Sequence, residues 1–185
     1  MGHAEMEDRK PRPLDGEGLW NYALRALGGR AHSTREMREK LRRRAARMSD
    51  VDEVIERLKD SKYLDDRRFA EGFASARLSN QRFGKTRVLQ DLRGRRIAPG
   101  LAEKTVGEVY RDVDEAALIE EWVRRKYRLA PREGLFEEDK DMASAYRRLL
   151  RAGFRTGEIV RVLKKFARNP ELLDSFEPPE ETSDS

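Results

Sequence analysis

The chain has 185 residues, 37% of them hydrophobic and 41% charged. That leaves room for one ordinary domain or a short array of small units, and it suits an elongated stack burying thin apolar stripes better than one large core. There is no cysteine, which excludes a disulfide framework, a thiol nucleophile and a Cys-type zinc site. No segment approaches the length of a membrane span and the N-terminus lacks the apolar run of a secretory signal, so a cytoplasmic protein without a membrane partner is expected.

Residues 1–17 are polar, with Pro11 and Pro13, and are expected to be a disordered tail. A first helix is predicted from about Gly18 to Gly28, ended by Gly28-Gly29, since glycine adopts the left-handed conformation at helix C-termini. Ser33-Thr-Arg-Glu36 has capping-box spacing and opens a second helix with Met37, Leu41 and Ala45 on one face. Ser49-Asp-Val-Asp52 opens a third, carrying Val51, Val54, Ile55 and Leu58. Tyr63-Leu64-Asp65-Asp66 is a joint in which either aspartate can cap the next helix, about Asp66 to Ser79. Gly84 interrupts, helix five carries Val88, Leu89 and Leu92, and Pro99 sits in the first turn of helix six. Helix seven is predicted over about Val113 to Leu129. Ala130-Pro-Arg-Glu-Gly134 then breaks the pattern, and residues 130–138 read as an insertion. Helix eight (about Asp139–Ala152) and helix nine (about Thr156–Arg168) follow, and residues 169–185 form an acidic tail expected to be disordered. No strand is predicted.

An internal repeat organises these elements. Leu41 and Leu92 lie 51 residues apart. Met37 and Val88, Ala46 and Ile97, Val51 and Ala102, Ile55 and Val106, and Leu58 and Val109 keep the same offset. Started at Leu149, the comb finds Ala145, Phe154, Ile159, Leu163 and Phe166, so every tooth is apolar. Helix spacing alone aligns many apolar residues by chance, but the turns and helix starts recur as well. The resulting expectation is an all-α, elongated and curved array of three tandem three-helix units of helix-turn-helix type, at residues 18–64, 65–112 and 113–168. Such a chain should be a monomer.

The chemistry-bearing motifs are few. Gly84-Lys85-Thr86 imitates the end of a P-loop, but the earlier glycine is replaced by Ser79 and helix precedes it, so nucleotide binding is rejected. His3 and His32 have no partner at ligand spacing, which argues against a metal site. Asp65-Asp66 point about 100° apart on a helix and read as caps rather than a carboxylate pair. No constellation argues for an enzyme, and no cofactor is implied.

Charge is the informative polar feature. Residues 18–168 carry 37 Lys plus Arg against 24 Asp plus Glu, a net of +13. This suggests a polyanion or an acidic protein surface as partner, although a solvated helical surface accounts for such an excess too. The cations fall away from the apolar stripes. Arg82, Lys85, Arg87 and Arg93 cluster in the second unit with a single acid, Asp91, and Arg124, Arg128, Arg147, Arg151, Arg161 and Lys165 lie in the third. Such a band can bind phosphates or acidic protein patches. Phe83 can stack on a base or pack in the core.

Three stretches, Ser33-x-x-Glu-Met-Arg-x-Lys-Leu41, Leu58-x-x-x-x-Tyr-Leu-Asp-Asp-x-x-Phe-Ala70 and Gly84-x-x-x-Val-x-x-x-Leu-x-x-x-x-Ile97, resemble the RecX family of RecA regulators in order and spacing. The resemblance runs over roughly residues 18–168 and is weaker in the third unit. It implies binding along the groove of the RecA filament, with inhibition of filament extension, ATP hydrolysis, strand exchange and co-protease action, and so a place in DNA repair, recombination and the SOS response. Single- and double-stranded DNA are expected as weak partners without sequence preference. The family offers no catalytic residue to carry over. A stand-alone DNA-binding protein of helix-turn-helix type is the alternative.

Overall fold

A computed structural model describes residues 12–127 and 139–167. The expectations for residues 1–11, for the acidic tail, for the insertion near 130–138 and for Arg128 fall outside the described residues. Within them the chain is all-helical, with nine α-helices, one π-helical turn and no extended strand. Two compact units divide it. One comprises the described residues up to Ala70 together with Gly94–Ala98, and the other comprises Glu71–Arg93 and the described residues from Pro99 onward.

The first unit is built on α1 (Gly16–Gly29), α2 (Thr34–Arg42) and α3 (Met48–Asp60). Asp15 caps α1 by accepting from the Gly18 amide at 2.8 Å, so the helix starts at Gly16, two residues ahead of the predicted start. Leu14, assigned to a disordered tail by sequence, is anchored on both sides. Its N–H donates to the Arg44 carbonyl at 2.6 Å and its own carbonyl accepts from Ala46 at 2.9 Å. Gly28 and Gly29 do not stop α1 by turning left-handed. Both lie inside the helix, and Arg30 leaves it in extended conformation. Ser33 and Glu36 form the full capping box at the start of α2. α3 starts at Met48, one residue ahead of Ser49, and Asp50 is buried against Arg47 at 3.0 Å. The core of this unit is Leu19, Ala23, Met37, Leu41, Val51, Val54, Ile55, Leu58 and Leu64.

In the second unit α4 (Asp66–Ala76), which begins in the first, stops three residues before Ser79. It widens into a π turn, Arg77–Gln81, closed by Arg82 at φ 54°. α5 (Lys85–Gly94), α6 (Pro99–Val109) and α7 (Glu115–Tyr127) follow, then α8 (Asp139–Arg151) and α9 (Thr156–Phe166). Ala116, Ile119, Val123, Met142, Ala145, Tyr146, Leu149, Phe154, Ile159, Val162, Leu163 and Phe166 form its α7–α9 core.

The apolar comb is a map of burial. Leu41, Leu92 and Leu149 are each 0% exposed. Every other tooth is buried except Ala46, which is exposed in the α2–α3 turn, and Val109, which is half-buried near the end of α6. The repeat also reaches the first helix of each set. Asp15, Asp65 and Asp114 accept from the amides of Gly18, Arg68 and Ala116 at 2.8, 3.0 and 2.9 Å. A carboxylate at each helix start satisfies free N–H groups and complements the dipole.

Candidate interaction surface

The local geometry begins with two joints that repeat the same device. Ser33 and Gly84 keep the offset of Leu41 and Leu92, and Arg95 and Ala152 that of Leu92 and Leu149. In the first unit the Ser33 hydroxyl donates to the Arg95 carbonyl at 2.6 Å. In the second unit the Gly84 amide donates to the Ala152 carbonyl at 2.8 Å, and Thr86 N–H donates to Gly153 at 3.2 Å. Each joint seats the start of one helix on the turn of the following repeat. That turn is left-handed in both places, at Arg96 (φ 64°) and Gly153 (φ 87°). The second joint is tighter. A Cβ on Gly84 would stand 2.2 Å from the Gly153 carbonyl oxygen, so only glycine fits. This also explains why Gly84-Lys85-Thr86 is no P-loop, since two of the amides a phosphate would need are committed to carbonyls.

The first joint carries the perturbed titrations. Burial works to raise Glu36, but hydrogen bonds from Arg30, the Ser33 amide and Arg95 outweigh it and hold the carboxyl below its usual range. Burial, then the charge of Arg30, pushes buried His32 below its usual value.

Around the π turn, Arg77 Nε lies 3.3 Å from one Asp91 oxygen and Arg87 Nε 3.0 Å from the other. Both guanidinium groups cover the Phe83 ring, at 5.7 and 5.6 Å from its centroid, and Arg77 also lies 4.8 Å from that of Phe73. Phe83 is therefore half-buried beneath arginines, neither in the core nor open to a base. Tyr110 donates to the Phe83 carbonyl at 2.8 Å, and burial pushes its phenol up to about 12.

Six of the candidate cations have carboxylate neighbours. Arg87 is held by Asp91, Arg82 by Glu121 at 3.4 Å and Arg93 by Glu103 at 3.2 Å. Arg124 and Lys165 share Glu120 at 3.5 and 2.6 Å, and Arg161 pairs with Glu158. Lys85, Arg147 and Arg151 are exposed and hold no ion pair among the described residues. Exposed pairs of this kind are worth about 0–1 kcal/mol, so a competing anion can exchange for the resident carboxylate. The α7, α8 and α9 cations share the second unit with the π-turn cluster, but no single helix holds them all.

Sequence reasoning passed over Arg77, which completes the Asp91 cluster. It also passed over Arg111 and Arg155, which line a cleft of about 380 Å³ with Gly84, Lys85, Thr86 and Tyr110. In the first unit it did not single out Arg57, stacked 3.9 Å over Trp20, or the edge contact of Trp20 with exposed Tyr63. A guanidinium four residues from an acid, as in Arg87–Asp91 and Arg124–Glu120, was legible as helical spacing. Pairs such as Lys165–Glu120 depend on tertiary packing.

Among the described residues no group of three His, Cys, Asp or Glu side chains is placed to hold a metal ion, and no helix is long and apolar enough to cross a membrane. Residues 20–58 match the model of the first three-helix domain of RecX, and residues 65–106 match that of the second. The regulatory protein RecX of Deinococcus radiodurans is 34% identical over 163 residues, covering 83% of this chain and 71% of its own length. That of Syntrophotalea carbinolica is 28% identical over 108 residues, covering 58% of this chain and 71% of its own length. The crystal structure of RecX from Lactobacillus salivarius superimposes with a TM-score of 0.62 over 82% of this chain and 96% of the other, at 19% identity, a likeness of fold.

Proposed function

The chain belongs to the RecX family of regulatory proteins, and from that premise we propose that it is a non-enzymatic, cytoplasmic regulator of the RecA recombinase. In this reading it binds the RecA nucleoprotein filament along its groove as a monomer and inhibits filament extension, ATP hydrolysis, strand exchange and co-protease function. The observation that carries the proposal is the match to a RecX regulatory protein over 83% of the chain.

The surface chemistry supports a long contact of low sequence specificity. Its exposed cations belong to α5, α7, α8 and α9, and Arg93, Arg124, Arg161 and Lys165 among them each hold a weak carboxylate partner. Phosphate contacts of dispersed cations position a protein without reading sequence. A duplex-reading helix-turn-helix protein would instead concentrate its polar contacts on one recognition helix.

The deciding experiment adds substoichiometric protein to preformed RecA filaments and follows ATP hydrolysis, with binding to naked single- and double-stranded DNA measured in parallel. Inhibition well below the concentration that binds naked DNA is expected. Unchanged hydrolysis together with strong preference for one duplex sequence would support the helix-turn-helix alternative.

A further inference from the structure

The densest run of cations in the chain lies in the first unit. Residues 40–47 carry Lys40, Arg42, Arg43, Arg44 and Arg47 and no acid. They occupy the end of α2 and the turn into α3. Arg47 pairs with buried Asp50. Lys40 Nζ and the Arg44 guanidinium both lie over the Tyr22 ring, 5.9 and 5.4 Å from its centroid. Arg43 sits three residues from Lys40, and Arg25 three residues from Tyr22 on α1, spacings that make neighbours on a helix surface. Arg25 and Arg43 are exposed, and Lys40 and Arg44 are half-buried.

None of these four cations holds an ion pair among the described residues. Arg25 Nε donates to the Asn21 carbonyl at 3.3 Å, which leaves its charge unopposed. The carboxylates of α2 are engaged elsewhere, Glu36 by Arg30 and Arg95 and Glu39 by Arg96 at 3.4 Å. Arg44 Nε is shielded from solvent and bonds to no acceptor among the described residues. The turn itself is fixed, because Leu14 donates to the Arg44 carbonyl and accepts from the Ala46 amide. Two helices and a clamped turn thus gather four unopposed cations around one ring, so less freedom is lost when an anion binds.

We propose that Arg25, Lys40, Arg43 and Arg44 form a binding surface for the phosphodiester backbone of nucleic acid. Three of the four are arginines, whose planar fork grips phosphate oxygens in pairs. The one aromatic ring, Tyr22, is covered by Lys40 and Arg44, so the patch lacks the apolar anchor around which protein interfaces are built. Its attraction comes from charge, and it is strongest for a polyanion with condensed counterions to release. The backbone crosses the end of α2 and does not admit α3 to a groove. The exposed face of α3 carries Asp52, Glu53, Glu56 and Asp60 against Arg57 and Lys59, which pair with Glu17 and Glu56 at 2.9 Å each. In a helix-turn-helix reader the second helix enters the groove, where these acids would face phosphates. The surface therefore holds nucleic acid without reading its sequence. It belongs to the first unit, whereas the candidate cations of α5 and α7–α9 belong to the second, and it does not rest on the regulation of RecA.

Fluorescence anisotropy of a labelled single strand and a labelled duplex of mixed sequence, titrated with the full chain over a salt series and without RecA, tests this. Arg25→Glu/Arg43→Glu should weaken binding to both several-fold and lower the salt slope by about one for each cation lost. Arg25→Lys/Arg43→Lys should keep the slope. Lys104→Glu/Arg125→Glu makes the same change of net charge at exposed cations of the second unit and should alter binding far less. Circular-dichroism melts check every variant, and Arg25→Gln/Arg43→Gln replaces the Glu pair if that pair melts early. The proposal is overturned if the wild type binds neither probe, or if loss of charge at Arg25 and Arg43 matters no more than reversal at Lys104 and Arg125. It is also overturned if polyglutamate displaces the probes as well as unlabelled DNA does at equal charge, which would make an acidic protein the occupant, or if one duplex sequence is strongly preferred. With RecA absent, each of these outcomes leaves the filament reading to its own test.

Discussion

The two joints solve one problem with different parts. Ser33 meets the Arg95 carbonyl through a hydroxyl, with Glu36, Arg30 and Arg95 around it, so the first joint is a polar network. Gly84 meets Ala152 backbone to backbone, with Gly153 against Arg87, so the second joint is a steric fit. A side-chain network responds to charge and pH, whereas a backbone contact responds to volume. The same repeat can therefore be loosened by different perturbations in its two halves.

The largest expected effects test what the joints have in common. Leu41→Ala, Leu92→Ala and Leu149→Ala each remove a fully buried side chain and should each cost about 2–5 kcal/mol in urea unfolding. Three unchanged melts would dissolve the repeat on which the comparison of joints rests. Gly84→Ala comes next. Its new methyl meets backbone rather than a movable side chain, and a loss of about 1–3 kcal/mol or more is expected. Ser33→Ala should cost less, about 0.5–2 kcal/mol, as lost N-caps do. Equal losses for Gly84→Ala and Ser33→Ala would erase the distinction between steric and polar joints.

Much of this was legible from sequence, and the rest failed for identifiable reasons. The apolar comb found the core because helical periodicity records which face is buried, and only Ala46 and Val109 slipped, both near helix ends where the periodicity lapses. The Ser33–Glu36 capping box was legible because its partners are local. Of the capping aspartates Asp15, Asp65 and Asp114, only Asp65 was read as a cap, and Asp15 was missed because Pro11 and Pro13 made its surroundings read as tail. The long-range ion-pair partners of the candidate cations were not legible. That Arg77 and Arg87 converge on Asp91 depends on a π turn with no compositional mark, and that Lys165 meets Glu120 depends on packing. Charge positions on single helices did not show which cations would be matched.

The smallest effect sharpens the comparison through pH. His32 titrates below its ordinary value of 6.5, so the unfolded chain takes up its proton first, and the stability held by neutral His32 is lost as pH falls below about 6.5 through the folded value. Glu36 is also depressed, from 4.5. Its contribution is present above that value and is lost on further acidification. The second unit contains no histidine. Urea midpoints between pH 7 and 5 should therefore drop for the wild type and flatten in His32→Gln. Parallel curves for the two proteins would remove His32 from the account.

The most direct test of the proposed function is a titration of RecA-dependent ATP hydrolysis on preformed filaments with three charge-reversed variants. They are Arg82→Glu/Arg93→Glu, Arg147→Glu/Arg151→Glu and the combined quadruple, each checked by its circular-dichroism melt. Every exposed charge contributes on the order of 1 kcal/mol or less, so each pair should weaken inhibition. The quadruple should abolish it, since both anchors of the contact are lost, while folding is unchanged. A folded quadruple that inhibits like the wild type would contradict the claim that the chain regulates RecA through its dispersed cations.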